Sequence, residues 1–443
     1  MKHETLKKSV RTTAFIAASI AALAVPAYAD GDQPDISIVI NQSPWLDSFI
    51  SVVDRYEEET GNKIELDVTP FGGLLEKIRN SVRADVGTYD IVNVNALWLT
   101  EIYAGGFLSP LTDIRDGYTL AEGVLDYGAT THWNHETNSF DTSADLMGIP
   151  LNGNVQVLYY RSDLYEEAGL SAPTTWDELA ANAAALHEPP STYGFVPRAA
   201  RNAVVYNFTP YLYSQGGSVF EDPASGNFNV TINSPEALTA LETYLHLTSE
   251  VAPENPGAIA QGELIQLLAT GKAAQAIAVI GAWGNLENPD KSAVVGLINA
   301  ALIPSGPGGS ASAAGHWVGG IPNNISDERQ EAAMAFLDWF VSQDVQIGYV
   351  EAGGVPIRGD LAETSIGSDD RFRFIEAYGQ NAANAVMALP LKEGAQVSDA
   401  LALRLNQAVI GEISATDALN AMAADTLKIL TDAGYEVTSL SDL

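Results

Sequence analysis

Between Ile36 and Val94 the hydrophobic pattern switches four times between strand-like and helix-like periods, and that alternation is the tightest limit on how this chain can fold. Residues 36–40 (ISIVI) are a continuous apolar run of strand length. Pro44 then opens a helix with Leu46, Phe49, Ile50 and Val53 on one face, stopped by Gly61. Ile64, Leu66 and Val68 alternate as a second strand, Leu75, Ile78 and Val82 mark a second helix, and residues 90–94 a third strand. Strand–helix–strand–helix–strand predicts an α/β class protein, an open, mostly parallel, doubly wound sheet. The pattern recurs in kind after Pro150, with a strand over 155–161 and helices from Asp163 and Trp176. Thr175 and Glu178 have capping-box spacing, in which the threonine oxygen takes a first-turn N–H and the glutamate reaches back. Further helices are expected over 235–251, 331–342 and 415–433, and 304–315 (PSGPGGSASAAG) reads as a flexible loop by composition.

Residues 1–29 read as a secretory signal peptide: Lys2, Lys7, Lys8 and Arg11, then an apolar run over 14–25, then Ala27-Tyr28-Ala29 ahead of Asp30. The run is shorter than the roughly 20 apolar residues that a membrane span needs. The chain has no cysteine. A lipoprotein needs one at its first mature position, so the expectation is a protein free in the periplasm, stabilised by core burial without disulfides. The length allows two or three domains. The net charge is −34; the leader holds four cations and one anion, so the chain without it carries −37. Such a surface repels nucleic acid and anionic lipid and requires salt to screen it, which points to a salt-adapted source.

The usual catalytic signatures are missing: no G-x-S-x-G elbow, H-E-x-x-H, Walker A or dinucleotide fingerprint occurs. His132 and His135 with Glu136 or Asp141 have zinc-like spacing, but in a loop-like segment, and neither metal nor cofactor is expected. The reading is a binder and not an enzyme. Sugars present apolar C–H faces rimmed by hydroxyls, so a sugar receptor needs aromatic faces with amides, carboxylates and guanidiniums around them. Several of the seven tryptophans fall in segments that read as loops after strands, where doubly wound sheets bind ligands.

Six segments together carry a family resemblance over essentially all of residues 30–443. They are YDIVNVNALWLTEIYAGGFLSPLTD from Tyr89, IPLNGNVQVLYYRSDLYEEAGL from Ile149, SQGGSVFEDP, GKAAQAIAVIGAWGN, AAGHWVGGIPNNIS and EAGGVPIRGD. In this order they resemble family 1 extracellular solute-binding proteins, the maltose-binding-protein-like receptors of carbohydrate ABC importers. The resemblance implies a periplasmic-binding-protein type II fold: two doubly wound lobes joined by a hinge, the ligand between them. Residues 30–147 plus 319–368 would form one lobe, and 148–318 plus 369–443 the other, with a mainly helical C-terminal part. The partners implied are a small carbohydrate ligand and the permease subunits of the importer; a monomer is expected.

The resemblance also implies a set of site residues. Trp283 in GAWGN is the leading stacking candidate, against packing within its lobe. Trp317, at the crossing between lobes, is a candidate cover for the ligand. Asn95 and Trp98 follow the third strand, and Gln42 and Ser43 close the first. Asn152 and Asn154 lie in the first crossover, and Tyr206 and Asn207 precede SQGG. Arg358 in GVPIR either reaches ligand or forms a structural ion pair. Trp45, Trp133, Trp176 and Trp339 read as packing residues. The tail lacks an aromatic platform near residues 389–392, which favours a monosaccharide, polyol or short glycoside over long oligosaccharides. Arg198 and Arg201 motivate a second reading, a receptor for a sulfonated or phosphorylated sugar, against pairing with surface carboxylates. A secreted carbohydrate-active enzyme and a sensor's accessory binding protein are the remaining readings.

Overall fold

A computed structural model of the protein describes residues 33–443; the signal-peptide expectation lies outside the described residues. The first sheet is built from β1 (Ile36–Asn41), β2 (Ile64–Thr69), β3 (Ile91–Asn95), β4 (Ile149–Asn152) and β8 (Trp317–Gly320). Its order is β2-β1-β3-β8-β4. β2 and β3 both pair parallel to β1, with Ile36 opposite Ile64 and Ile38 opposite Ile91, as the alternating pattern predicts. The helix Leu46–Thr60 buries Phe49, Val52, Val53 and Tyr56, the i, i+3, i+4, i+7 set, and ends at Gly61 in the left-handed region (φ 74°). Phe49 and Tyr56 meet Phe336 edge-on from the helix Asp327–Phe340, which covers the same core. β8 is the exception to the parallel rule. It returns from the second half of the chain and fits antiparallel between β3 and β4.

The second sheet is smaller: β5 (Gln156–Arg161) between β6 (Gln275–Val279) and β7 (Ile298–Ala301). Both pairings are antiparallel. β5 follows β4 after only three residues, so it runs away from the junction, whereas β6 and β7 return toward it; three residues leave no room for a crossover helix. The helices Trp176–Ala185, Val204–Ser214, Pro235–Glu250, Gly394–Val409 and Ala415–Asp432 share one apolar cluster on this sheet. The capping box forms as predicted, Thr175 accepting from Glu178 N and Glu178 from the Thr175 N–H. Trp45, Trp133 and Trp176 are buried, in agreement with their reading as packing residues. The loop 304–315 is not loose: Gly308 N donates to Ser214 O (2.7 Å), Ser310 Oγ to Ile303 O and Ser312 Oγ to Gln156 O. Its glycines and serines serve close backbone approach rather than freedom. Val350, Val355, Leu361 and Ile366 pack with residues of the second sheet, although 319–368 was expected with the first lobe.

Chain passages between the two halves run side by side. Val155 pairs with Ala314, and Gly315 N donates to Asn154 O (2.9 Å). A third passage, at Pro356, meets the first at Gly153. A Cβ there would lie 2.2 Å from Pro356 O, 2.1 Å from Tyr127 OH and 2.3 Å from Tyr378 OH. Backbone on one side and two mutually hydrogen-bonded tyrosines on the other leave nothing free to move (Tyr127 OH to Tyr378 OH, 2.9 Å). Gly153→Ala is therefore expected to lower stability by about 1–3 kcal/mol, read as a fall in the urea midpoint.

His316, on the second passage, is fully buried. Its Nε2 lies 2.8 Å from Thr130 Oγ1, its Nδ1 has no partner, and its ring stacks on Tyr127 at 4.7 Å. Burial holds its pKa down to about 3. The native state therefore stays unprotonated at a pH where the unfolded chain, with an ordinary histidine near 6.5, takes up a proton. The His316 contribution is present above about pH 6.5 and is lost as pH falls toward 3. The stability difference between wild type and His316→Gln should shift against wild type by up to about 1.4 kcal/mol per pH unit within that window. A flat difference would contradict a buried neutral ring.

Candidate functional site

The carboxyl ends of β1, β2, β3 and β4, and the start of β8, all face the second half of the molecule. In register, Trp317 lies opposite Asn95 on one side and Asn152 on the other. The loops leaving the first three strands each carry an aromatic residue. Trp45 comes after β1; Phe71 comes after β2, as the first residue of the helix Phe71–Val82; Trp98 ends the single turn Ala96–Trp98 after β3. Asn95 fixes that turn by accepting from Leu97 N. Phe71 stacks on Trp98 (centroids 4.7 Å apart, planes at 30°) and meets Trp317 edge-on at 6.1 Å. Trp317 in turn meets Trp98 at 5.8 Å and Trp45 at 6.3 Å. Trp98 and Trp317 are only 3% and 4% exposed, whereas Phe71 is 41% exposed. The available aromatic face is thus Phe71, with the two tryptophans behind it. Sequence reading missed Phe71; its signal was an aromatic residue, followed by Gly72-Gly73, directly after an alternating strand. Gln42 is exposed and Ser43 and Asn95 partly so, which rims this wall with hydroxyl and amide groups.

Beside the passage that leads into Trp317, the second half contributes Tyr206 and, over its ring, Arg198. Tyr206 OH donates to Ala313 O (3.2 Å), and the Arg198 guanidinium lies over the Tyr206 ring at 5.4 Å. Gly315 lets this tyrosine approach: a Cβ there would lie 2.2 Å from its hydroxyl. Leu97 packs against the cores of both halves, and Ala395, at the start of the helix Gly394–Val409, packs against the core of the first. Lys291 Nζ reaches Asp47 Oδ2 at 3.0 Å, a second link between the halves.

Several expected site residues are committed elsewhere. Asn207 is fully buried; its Oδ1 accepts from Arg198 N (3.0 Å) and its Nδ2 donates to Gln156 Oε1 and Ile277 O, so no capacity remains for a ligand. Asn152 donates to Tyr349 OH and accepts from Asn154 N; Asn154 Oδ1 accepts from Gly281 N. These amides tie the first passage down. Trp283 is buried, its Nε1 donating to Arg371 O (2.8 Å), with Arg373 over its ring at 4.6 Å and Phe374 beside it. It packs its own lobe. Arg358 is the structural ion pair: it bonds Asp360 through two nitrogens, and Val341 O and Glu122 O besides. That contact holds the Asp360 carboxyl below the usual carboxylate range. Arg201 is exposed, with no carboxylate beside it.

A cavity of about 880 Å³ lies elsewhere, under the third passage, lined by Asp126, Asp369, Asp370 and Glu376 among others. Of the expected site residues only Arg358 lines it, and Arg358 is saturated. The strand-end wall is the better candidate because the fold directs strand ends and an exposed aromatic face to one place. Arg358→Ala is expected to cost about 2 kcal/mol of stability, the loss of hydrogen bonds to a charged group. Ligand affinity, read by calorimetry on the folded fraction, should stay unchanged.

Two α/β halves, joined by adjacent passages and facing each other across strand ends, define a hinged two-lobe binding protein. The chain belongs to the bacterial extracellular solute-binding protein family, whose model matches residues 41–347. It is 24% identical over 373 residues to a probable amino-acid ABC transporter periplasmic-binding protein of Sinorhizobium fredii, covering 81% of each chain. It is 24% identical over 339 residues to a mannitol-binding protein of Pseudomonas aeruginosa, covering 73% of this chain and 72% of the relative. An ABC transporter solute-binding protein from Agrobacterium radiobacter K84, solved in complex with ribitol, superposes with a TM-score of 0.79 at 24% identity, covering 90% of this chain and 99% of that one. Among the described residues, no helix is long and apolar enough to cross a membrane.

Proposed function

We propose that the protein is the periplasmic receptor of an ABC importer for a small sugar, polyol or short glycoside, and that it carries out no catalysis. The observation that carries this reading is the half-exposed Phe71 backed by Trp98 and Trp317 at the strand ends, rimmed by Gln42, Ser43 and Asn95. An aromatic face takes the C–H side of a polyhydroxylated ligand, and the rim takes its hydroxyls. The ribitol and mannitol named for relatives support the class of ligand. One lobe is centred on the first sheet and the other on the second, and the ligand enters while they are apart. Closure about the passages at 152–156, 313–317 and 355–358 then encloses it. The closed form docks on the permease as a monomer, after the leader is removed on export to the periplasm.

A thermal-shift screen of residues 30–443 in about seawater salt tests this. A sugar, polyol or sugar derivative at about 100 times its dissociation constant should add roughly 2.7 kcal/mol. Shifts given by amino acids alone would contradict the reading, and would accord with the name of the Sinorhizobium relative instead. With a ligand in hand, Phe71→Ala should weaken binding about tenfold, the worth of one aromatic contact. It should leave the melting temperature of the unliganded protein nearly unchanged. Equal affinity in the variant would remove Phe71 from the site.

A further inference from the structure

Basic groups are scarce in this chain, and the structure commits nearly all its arginines to acids. Among the described residues, Arg55, Arg79, Arg83, Arg115, Arg161, Arg329, Arg358, Arg371, Arg373 and Arg404 each lie against a carboxylate. Arg201 stands in solvent, which satisfies its charge. Arg198 is only partly exposed and has no acid beside it. Its Nε is enclosed without a hydrogen-bond partner, and the ionisable groups that face it are the hydroxyls of Tyr206 and Tyr244. Burial pushes its ionisation down. A partly buried guanidinium whose Nε is enclosed without a partner carries a desolvation cost, and a charged hydrogen-bond partner offsets it. In a chain of net charge −34 the absence of an acid at this position is itself informative.

Its surroundings suit an anion. Arg198 follows the Tyr193–Val196 edge, which runs parallel to β6 toward the junction: Tyr193 pairs with Ala273, and Val196 N donates to Gln275 O. A short turn after Arg198 leads into the helix Val204–Ser214, which has no acidic residue in its first turn and no side-chain cap. Val204 N is taken by Ala200 O, and the helix dipole favours negative charge at this end. Arg198 is anchored by its own backbone, whose N–H donates to Asn207 Oδ1. Asn207 is thus a positioning residue for the guanidinium.

We infer that Arg198 is the anchor for an anionic group on the ligand, so that the receptor takes a polyhydroxylated molecule bearing a carboxylate, sulfonate or phosphate. This rests on the receptor reading above and names its ligand class. The hydroxylated part would lie toward Phe71 and the anion on the guanidinium fork. Arg201, being solvated, is not part of the site.

The test is calorimetry on matched compounds: D-mannitol, D-mannonate and D-mannitol 1-phosphate; D-glucose, D-glucuronate, D-glucose 6-phosphate and 6-deoxy-6-sulfoglucose; and inorganic phosphate. The expected result is that an anionic member binds at least about 30-fold tighter than its neutral parent, with affinity falling as salt rises. Inorganic phosphate alone should bind more weakly than that compound, because it lacks the hydroxylated part. Arg198→Gln should abolish that preference while melting at or above the wild-type temperature, since an uncompensated charge has been removed. A residue with only a structural role would instead lower the melting temperature. Arg201→Gln should change nothing. A neutral parent bound as tightly as its anion, with Arg198→Gln unaffected, would overturn the inference and leave the sugar or polyol receptor standing. Should Arg198→Gln fail to fold, the wild-type preference between matched compounds still decides. No binding by any member to folded wild type would overturn both readings.

Discussion

The side-by-side pairing of two chain passages is the constraint on which the rest of this structure depends. Val155 against Ala314, with Gly315 N on Asn154 O, holds β4–β5 and the return into β8 in one register. That register places Trp317 opposite both Asn95 and Asn152, and so at the strand ends of the first sheet. It also places Gly315 against the Tyr206 hydroxyl, bringing the second half's contribution to the same place. Of the amides expected to bind ligand, Asn207 is fully engaged, and Asn152 and the Asn154 carbonyl are tied into this junction. A buried amide has few hydrogen bonds to give, and each one spent on backbone is lost to a ligand.

The scarcity of basic groups shapes the site in the same way. Arg358 looks like a ligand residue in sequence, and the acid two positions on, Asp360, claims it. Arg373 covers one face of Trp283 and pairs with Glu287, so a cation occupies a face that a sugar could have taken. These are local captures by charge. They leave Arg198, partly buried and without a carboxylate partner, as the arginine on which the proposed anion preference rests.

What the sequence makes legible divides along physical lines. Period and cap signals are local, so β1 to β3, the helix stop at Gly61 and the capping box at Thr175 can each be read from a few residues. The family resemblance supplies the two-lobe fold, which the period pattern alone gives only as a doubly wound sheet. The antiparallel pairing of the second sheet is not legible, because it stems from the three-residue junction and the direction in which β5 leaves it. Site residues fare worse. Whether an asparagine or arginine faces a ligand depends on partners tens or hundreds of residues away, as with Asn152 and Tyr349 or Arg358 and Glu122. Phe71 escapes for the opposite reason: the tryptophans draw the eye as stacking faces, and two of them form the backing to a phenylalanine.

The central claim is that the two halves close about this junction on a ligand held at the strand ends. Because the chain has no cysteine, spin labels can be placed cleanly at Asp54→Cys, on the helix Leu46–Thr60, and at Asp290→Cys, beside the turn that carries Lys291. Pulsed electron resonance then measures the distance between them with and without the compound that gives the largest thermal shift. Closure predicts a broad or two-component distribution without ligand that collapses to one narrower component at saturation. A distribution unchanged by saturating ligand would contradict the account.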